Sequence, residues 1–239
     1  MQQMKDIVVI GAGQAAAQAA QSLRAGGYSG SLTIVGDESA LPYQRPPLSK
    51  AYMKGEFEEE RLYFKPAAWY EDQKIEVLLG TQATGIDRAA RQVHLGHGGQ
   101  LPYDALIIAT GSRPRPLPTP GADLEGVHDL RTLADVERLR PKMVAGRRIV
   151  IIGAGYIGLE AAAVARQMNL EVTVIEMEPR VLARVTSPAI SEFYTAEHRR
   201  QGVTILTGTL VSKLEGIEGK ASAAVLADGT RITADTALA

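Results

Sequence analysis

The sequence predicts an α/β protein of three layers in which one strand–helix–strand plan is used twice. Three observations predict it. First, Ile7-Val8-Val9-Ile10-Gly11-Ala12-Gly13-Gln14-Ala15-Ala16 recurs as Ile149-Val150-Ile151-Ile152-Gly153-Ala154-Gly155-Tyr156-Ile157-Gly158, with Gly153 standing 142 residues after Gly11. Second, each copy runs on through a helical stretch into another apolar run that ends at acids, Asp37 and Glu38 in one and Glu176 in the other. Third, prolines at 114, 116, 118 and 120 separate the copies, at a spacing that neither a helix nor a central strand tolerates.

Taken in order, Ile7 to Ile10 is a continuous apolar run, as expected of a strand buried on both faces of a parallel sheet. The helix Gln14 to Ala25 and the strand Leu32 to Val35 complete the first βαβ unit. Gln92 to Leu95, the turn His97-Gly98-Gly99 and Leu101 to Tyr103 read as a hairpin leading through Asp104 into the strand 106–109. The proline-rich segment is the expected domain crossing, in an extended conformation. After it, Thr132 caps a helix through Val136, Leu139 and Met143. The second unit repeats the plan with the helix Tyr156 to Asn169 and the strand Val172 to Ile175. Ser187-Pro188 starts a further helix that Gly202 stops. A second hairpin, around Asp228-Gly229, leads through Asp235 into Thr236 to Ala239. By this internal comparison the chain ends inside a strand, and the expectation is that it is the N-terminal part of a longer protein.

Composition bounds the chemistry. The 239 residues carry 26 basic and 27 acidic side chains for a net charge of −1, which argues against nucleic acid as a partner. Hydrophobic residues at 45% and charged residues at 22% suit a globular protein with a real core. Cysteine is absent, which removes disulfides, thiolate metal sites and cysteine nucleophiles, so redox chemistry needs a bound cofactor. No apolar stretch approaches the roughly 20 residues of a membrane span, and Asp6, Gln14 and Gln18 interrupt the run a secretory signal would require. A cytoplasmic location follows as the default.

The second glycine turn has the spacing of a dinucleotide fingerprint, with a strand before, a helix after, and Glu176 23 residues beyond Gly153. Gly153 permits the tight turn, Gly155 lets a pyrophosphate approach bare backbone at the positive helix end, and Gly158 lets helix and strand pack closely. Glu176 would accept hydrogen bonds from an adenosine ribose, and together with Glu178 it repels a 2′-phosphate, so NAD is preferred to NADP. Arg180 and Arg184 keep the NADP alternative open. In the first copy, Gly11-x-Gly13-x-x-Ala16, alanine takes the third position and Asp37 is the acid. Two adjacent dinucleotide folds suggest two Rossmann-like domains that bring two dinucleotides face to face for hydride transfer. No NTPase phosphate loop or G-x-S-x-G elbow occurs, and His94, His97, His128 and His198 read as surface or packing residues, with no metal site.

Several segments together resemble one group: the first fingerprint, Val35 to Glu38, Leu41-Pro42-Tyr43-Gln44-Arg45-Pro46-Pro47-Leu48-Ser49-Lys50, Ala109-Thr110-Gly111, Leu130 to Leu133, Gly153 to Glu160, and Arg180 to Val185. They are similar to the FAD-dependent, NADH-using reductases of [2Fe-2S] ferredoxins, of the putidaredoxin reductase and dioxygenase ferredoxin reductase type, within the pyridine nucleotide-disulfide oxidoreductase-like superfamily but without its redox disulfide. The resemblance covers essentially the whole chain.

The resemblance implies that Gly11, Ala12, Gly13, Gln14 and Ala15 line the FAD pyrophosphate and that Asp37 and Glu38 hold its ribose. Arg45 and Lys50 would contact the flavin half, Ala83 the adenine through its backbone, and Arg131 the FAD phosphates. On the NAD(H) side it implies Ala154, Gly155, Tyr156 and Ile157 at the pyrophosphate, and Glu176 and Arg184 at the adenosine. Lys50 and Glu160 are its catalytic pair beside the flavin. By residue chemistry alone, Lys50 reads as a solvent-facing lysine at a helix start and Glu160 as an acid favoured by the helix dipole. The implied domains are 1–113, the first part of an FAD-binding domain, and 114–239, an NAD-binding domain, with a second FAD segment and a C-terminal domain outside this chain. The alternatives are an NADH oxidase or quinone-directed flavoprotein, or an NADH-sensing interaction protein of the same fold.

Overall fold

The structure, a computed structural model, describes residues 4–239; the first three residues of the expected 1–113 domain lie outside the described residues. The chain divides into two compact units, Met1–Gln44 with Glu58–Arg113, and Arg45–Phe57 with Pro114–Ala239. The division departs from contiguous 1–113 and 114–239 segments because residues 45–57 are tied into the second unit. Arg45 donates to the Arg131 carbonyl at 2.6 Å, Ser49 Oγ to Glu160 at 2.5 Å and Tyr52 OH to Glu137 at 2.7 Å.

The first unit contains β1 (Asp6–Ile10), α1 (Gln14–Ala25), β2 (Ser31–Val35), α2 (Ala67–Asp72), β3 (Ile75–Leu78), β4 (Ala83–Asp87), β5 (Gln92–Leu95), β6 (Gln100–Pro102) and β7 (Ala105–Ile108). Its parallel sheet has the order β3-β2-β1-β7, and β4-β5-β6 form a separate antiparallel sheet. Side chains alternate across a strand, so the apolar run of β1 divides between two cores. Ile7 and Val9 pack with Leu32, Ile34 and Ile75 against Ala16 and Ala20 of α1 and Tyr70 of α2. Val8, Ile10 and Val35 pack on the other face against Val93 and Leu95 of the antiparallel sheet. The three layers follow from that alternation.

The second unit contains β8 (Val127–His128), α3 (Leu133–Leu139), β9 (Arg148–Ile152), α4 (Tyr156–Gln167), β10 (Glu171–Ile175), α5 (Pro188–Arg200), β11 (Thr204–Leu206), β12 (Val211–Ile217), β13 (Lys220–Leu226), β14 (Arg231–Thr233) and β15 (Thr236–Leu238). The sheet order is β11-β10-β9-β15-β8, every neighbouring pair parallel. The antiparallel β12-β13-β14 sheet covers one face through Val211, Leu214, Ala224 and Leu226, packed with Val150 and Ile175. α4 buries Leu159, Ala161, Ala162, Val164 and Ala165.

Two helices differ from expectation. Thr132 caps α3 reciprocally with Asp135, but the helix ends at Leu139 rather than continuing through Met143, because Pro141 offers no N–H and the chain tightens into a 3₁₀ turn at Arg140–Lys142. Ser187 holds the N-cap position of α5 without a side-chain cap hydrogen bond. No helix among the described residues is long and apolar enough to cross a membrane.

The repeat extends to the acids before the last strand of each unit. Asp104 accepts the Lys5 and Asp6 N–H groups at the start of β1, and Asp235 accepts the Arg148 N–H and guanidinium at the start of β9. Bonding to Arg148 lowers the Asp235 pKa, so its stabilisation is present above the unfolded carboxylate value and is lost as pH falls through the folded one. Asp235→Asn therefore lowers Tm at pH 7, and the gap to wild type closes as pH drops below about 4. Thermal melts at stepped pH read this directly; a gap independent of pH refutes it.

Candidate functional site

In the first unit the glycine turn is shaped by close approach. Gly11 has φ +109°, and a Cβ there would lie 2.2 Å from the Ala109 carbonyl oxygen. Gly36 sits where a Cβ would come within 2.4 Å of Ala12 Cβ. Gly13 is the N-cap of α1, which has no side-chain cap and no acid in its first turn; a Cβ at Gly13 would meet nothing within 4 Å. Bare helix N–H groups thus open on free space, the arrangement that receives an anion. Gln14 and Ala15 begin that helix and are exposed. Thr81 N–H bonds to Gly36 O and Gly80 N–H to Glu38 O, which lays the segment leading to Ala83 beside the two acids. Asp37 pairs with Arg113 at 2.5 Å, and Glu38 accepts from Tyr43 OH at 2.5 Å. Nothing local signals the Arg113 contact, which spans 76 residues.

The second unit repeats the device. Gly153 has φ +108°, and Gly155, the N-cap of α4, has no side-chain cap and nothing within 4 Å of a built Cβ. At Gly158 a Cβ would lie 2.1 Å from the Gly153 oxygen and 3.4 Å from Ile151, so helix and strand meet as the spacing predicts. Ala154 departs from its expected place at a pyrophosphate. It is fully buried, its N–H donates to Glu176 Oε2 at 2.7 Å and its carbonyl accepts from Leu182 N–H at 2.9 Å. Its donor is already committed. The open positions are Gly155, Tyr156 and Ile157, all exposed.

Glu176 follows β10 directly and is half-buried, and its other oxygen accepts the Glu178 N–H at 2.9 Å. Two backbone donors hold the carboxylate in place with lone pairs to spare. Arg184 is exposed nearby in sequence. Arg180 is spoken for: its guanidinium donates to Ala183 O at 2.7 Å, Thr186 O at 3.0 Å and Ser191 Oγ at 2.6 Å. Of the two arginines that kept a 2′-phosphate open, one is therefore a loop clamp.

The third cluster is built on the 3₁₀ turn Pro46–Ser49, which the paired prolines favour. Lys50 Nζ lies 2.6 Å from Glu160 Oε2 and 3.3 Å from Pro46 O. The Lys50 side chain is 50% exposed and that of Glu160 34%, so the ammonium is held yet accessible. Lys50 closes the turn at its C-terminal end rather than starting a helix. Ser49, absent from the sequence-based site, donates to the same oxygen. Arg45 and Arg131 come together through the Arg45 guanidinium and the Arg131 carbonyl, and the Arg131 N–H bonds to Asp135 at 3.0 Å.

Among the described residues no group of three or more His, Asp or Glu side chains could hold a metal ion. His198 is buried against Tyr194, with ring centroids 6.4 Å apart, and burial lowers its pKa. It is a packing residue.

Comparison with known proteins gives a consistent picture. A family model described as pyridine nucleotide-disulphide oxidoreductase matches residues 5–239. The chain is 44% identical over 229 residues to rhodocoxin reductase of Rhodococcus erythropolis, covering 96% of this chain and 54% of that protein. It is 44% identical over 239 residues to putidaredoxin reductase CamA of Pseudomonas putida, covering 98% and 57%. A crystal structure of the covalent putidaredoxin reductase–putidaredoxin complex superimposes with a TM-score of 0.95 at 44% identity, over 98% of this chain and 57% of that one. The chain thus spans a little over half the length of the curated relatives it matches.

Proposed function

Since the chain belongs to the pyridine nucleotide-disulphide oxidoreductase family, we propose that the protein is a cytoplasmic flavoprotein reductase that takes a hydride from NADH onto FAD and delivers single electrons to a [2Fe-2S] ferredoxin serving an oxygenase. The observation that carries the reading is the pair of uncapped helices, α1 and α4, each opening through a glycine onto space that a side chain would otherwise occupy. The names of the reductases it is similar to point the same way. Without any cysteine, these residues supply no dithiol for a thiol substrate.

The first unit fits FAD: Gly11 to Ala15 line its pyrophosphate, with Gly11 holding the turn through its N–H to Val35 O at 2.7 Å, Asp37 and Glu38 take its ribose, and Ala83 meets the adenine. Arg45 and Lys50 serve the flavin half and Arg131 the phosphates. When bound, FAD supplies a hydride acceptor whose electrons leave one at a time. Gly155, Tyr156 and Ile157 hold the NADH pyrophosphate, while Glu176 holds the ribose and Arg184 the adenosine. Glu176 and Glu178 disfavour a 2′-phosphate, and Arg180, engaged in its own loop, offers that phosphate little compensation. Lys50 places a positive charge that Glu160 keeps from wandering, which favours negative charge beside it.

The test uses the full-length protein. It should purify with a flavin absorbance, be bleached by NADH without oxygen, and turn over rapidly only when a ferredoxin is added. A protein that stays colourless when supplied with FAD, or turnover indifferent to ferredoxin, overturns the reading.

A further inference from the structure

The Lys50–Glu160 pair is partly exposed, and two flexible side chains in such a setting hold each other weakly. A third residue also holds the carboxylate. Ser49 is buried, with 6% of its surface exposed, and its Oγ lies 2.5 Å from the same Glu160 Oε2 that Lys50 approaches to 2.6 Å. A buried hydroxyl on a short stem has few alternative positions, and a hydrogen bond to an ionised carboxylate is among the stronger ones. The backbone beneath it is also fixed. Lys50 N–H bonds to Pro47 O at 3.0 Å, Arg45 anchors the start of the segment, and Tyr52 anchors its far side on Glu137.

We propose that Ser49 is a positioning residue: its hydroxyl orients the Glu160 carboxylate and, through it, sets the place of the Lys50 ammonium for reduction of the flavin. The role rests on the reading of the protein as an NADH-reduced flavoprotein. It concerns a residue outside both proposed nucleotide sites.

The experiment compares Ser49→Ala and Ser49→Thr with wild type in the full-length flavoprotein, alone and with Glu160→Gln. Ser49→Ala should slow flavin reduction by NADH about fivefold in stopped-flow, with the NADH dissociation constant within about twofold, because the charge is misplaced rather than the coenzyme lost. Ser49→Thr, which keeps the hydroxyl, should recover at least about half the rate. In a Glu160→Gln background Ser49→Ala should slow reduction no further, and the two changes should be coupled in Tm measured on flavin-free protein. An undiminished rate in Ser49→Ala, or a loss that persists unchanged in Glu160→Gln, overturns the proposal. If the alanine variant does not fold, Ser49→Cys, similar in size but a weaker donor, reads the same comparison. A wild-type flavin that NADH does not bleach sinks the functional reading and this role together, whereas a bleached wild type with an equally fast alanine variant sinks only the role of Ser49.

Discussion

Under the proposed function, Lys50→Met should slow reduction of the flavin by NADH by about a hundredfold, roughly what removing one preorganised charge costs an active site. The substitution keeps most of the apolar stem and deletes only the ammonium. The loss is large because that ammonium is already in place before reaction: Glu160 Oε2 at 2.6 Å and Pro46 O at 3.3 Å use two of its donors, and half of the side chain still faces outward. A charge fixed in advance costs no reorganisation when negative charge develops beside it. The fold should tolerate the change, since a half-exposed ion pair contributes little stability. Stopped-flow absorbance under anaerobic conditions measures the rate, and equal rates in variant and wild type return Lys50 to the role of a solvent-facing lysine.

Glu176→Gln should raise the ratio of kcat/KM for NADPH to that for NADH by about tenfold, mostly by weakening NADH. The carboxylate accepts the Ala154 and Glu178 N–H groups on separate oxygens, so glutamine can keep only one of these bonds and must turn its NH₂ towards the other donor. The proposed ribose acceptor and the glycine turn should loosen together. NADPH gains from the loss of one like charge, but Glu178 remains and Arg180 is occupied by Ala183, Thr186 and Ser191, so preference should not invert. Steady-state kinetics with both coenzymes test this; an unchanged ratio removes Glu176 from the ribose site.

How far each feature could be read from the residues depends on the range of the interaction behind it. The bounds of α1, the Gln92–Leu95 strand and the turn glycines were legible because they answer to local rules: a two-residue period, a missing Cβ, a helix end. The apolar spacing runs on to Met143, yet α3 ends at Leu139 because Pro141 carries no N–H. Residues 45–57 join the second unit through contacts spanning 85 to 111 residues, for which no local pattern exists. Ala154 is a further case. Its place in the fingerprint is visible, but the carboxylate that claims its N–H arrives from 22 residues away.

By itself the sequence determined a doubled βαβ plan, two glycine turns that require bare backbone, the acids beyond them, and chemistry without thiols, because these depend on residue type and spacing along the chain. Only the tertiary structure decided which donors stay open, that Arg180 clamps a loop, and that Ser49 and Lys50 converge on one oxygen of Glu160. Hydrogen bonds between distant residues are chosen by packing, and a carboxylate's partners become known only when the strands and helices carrying them have been brought together.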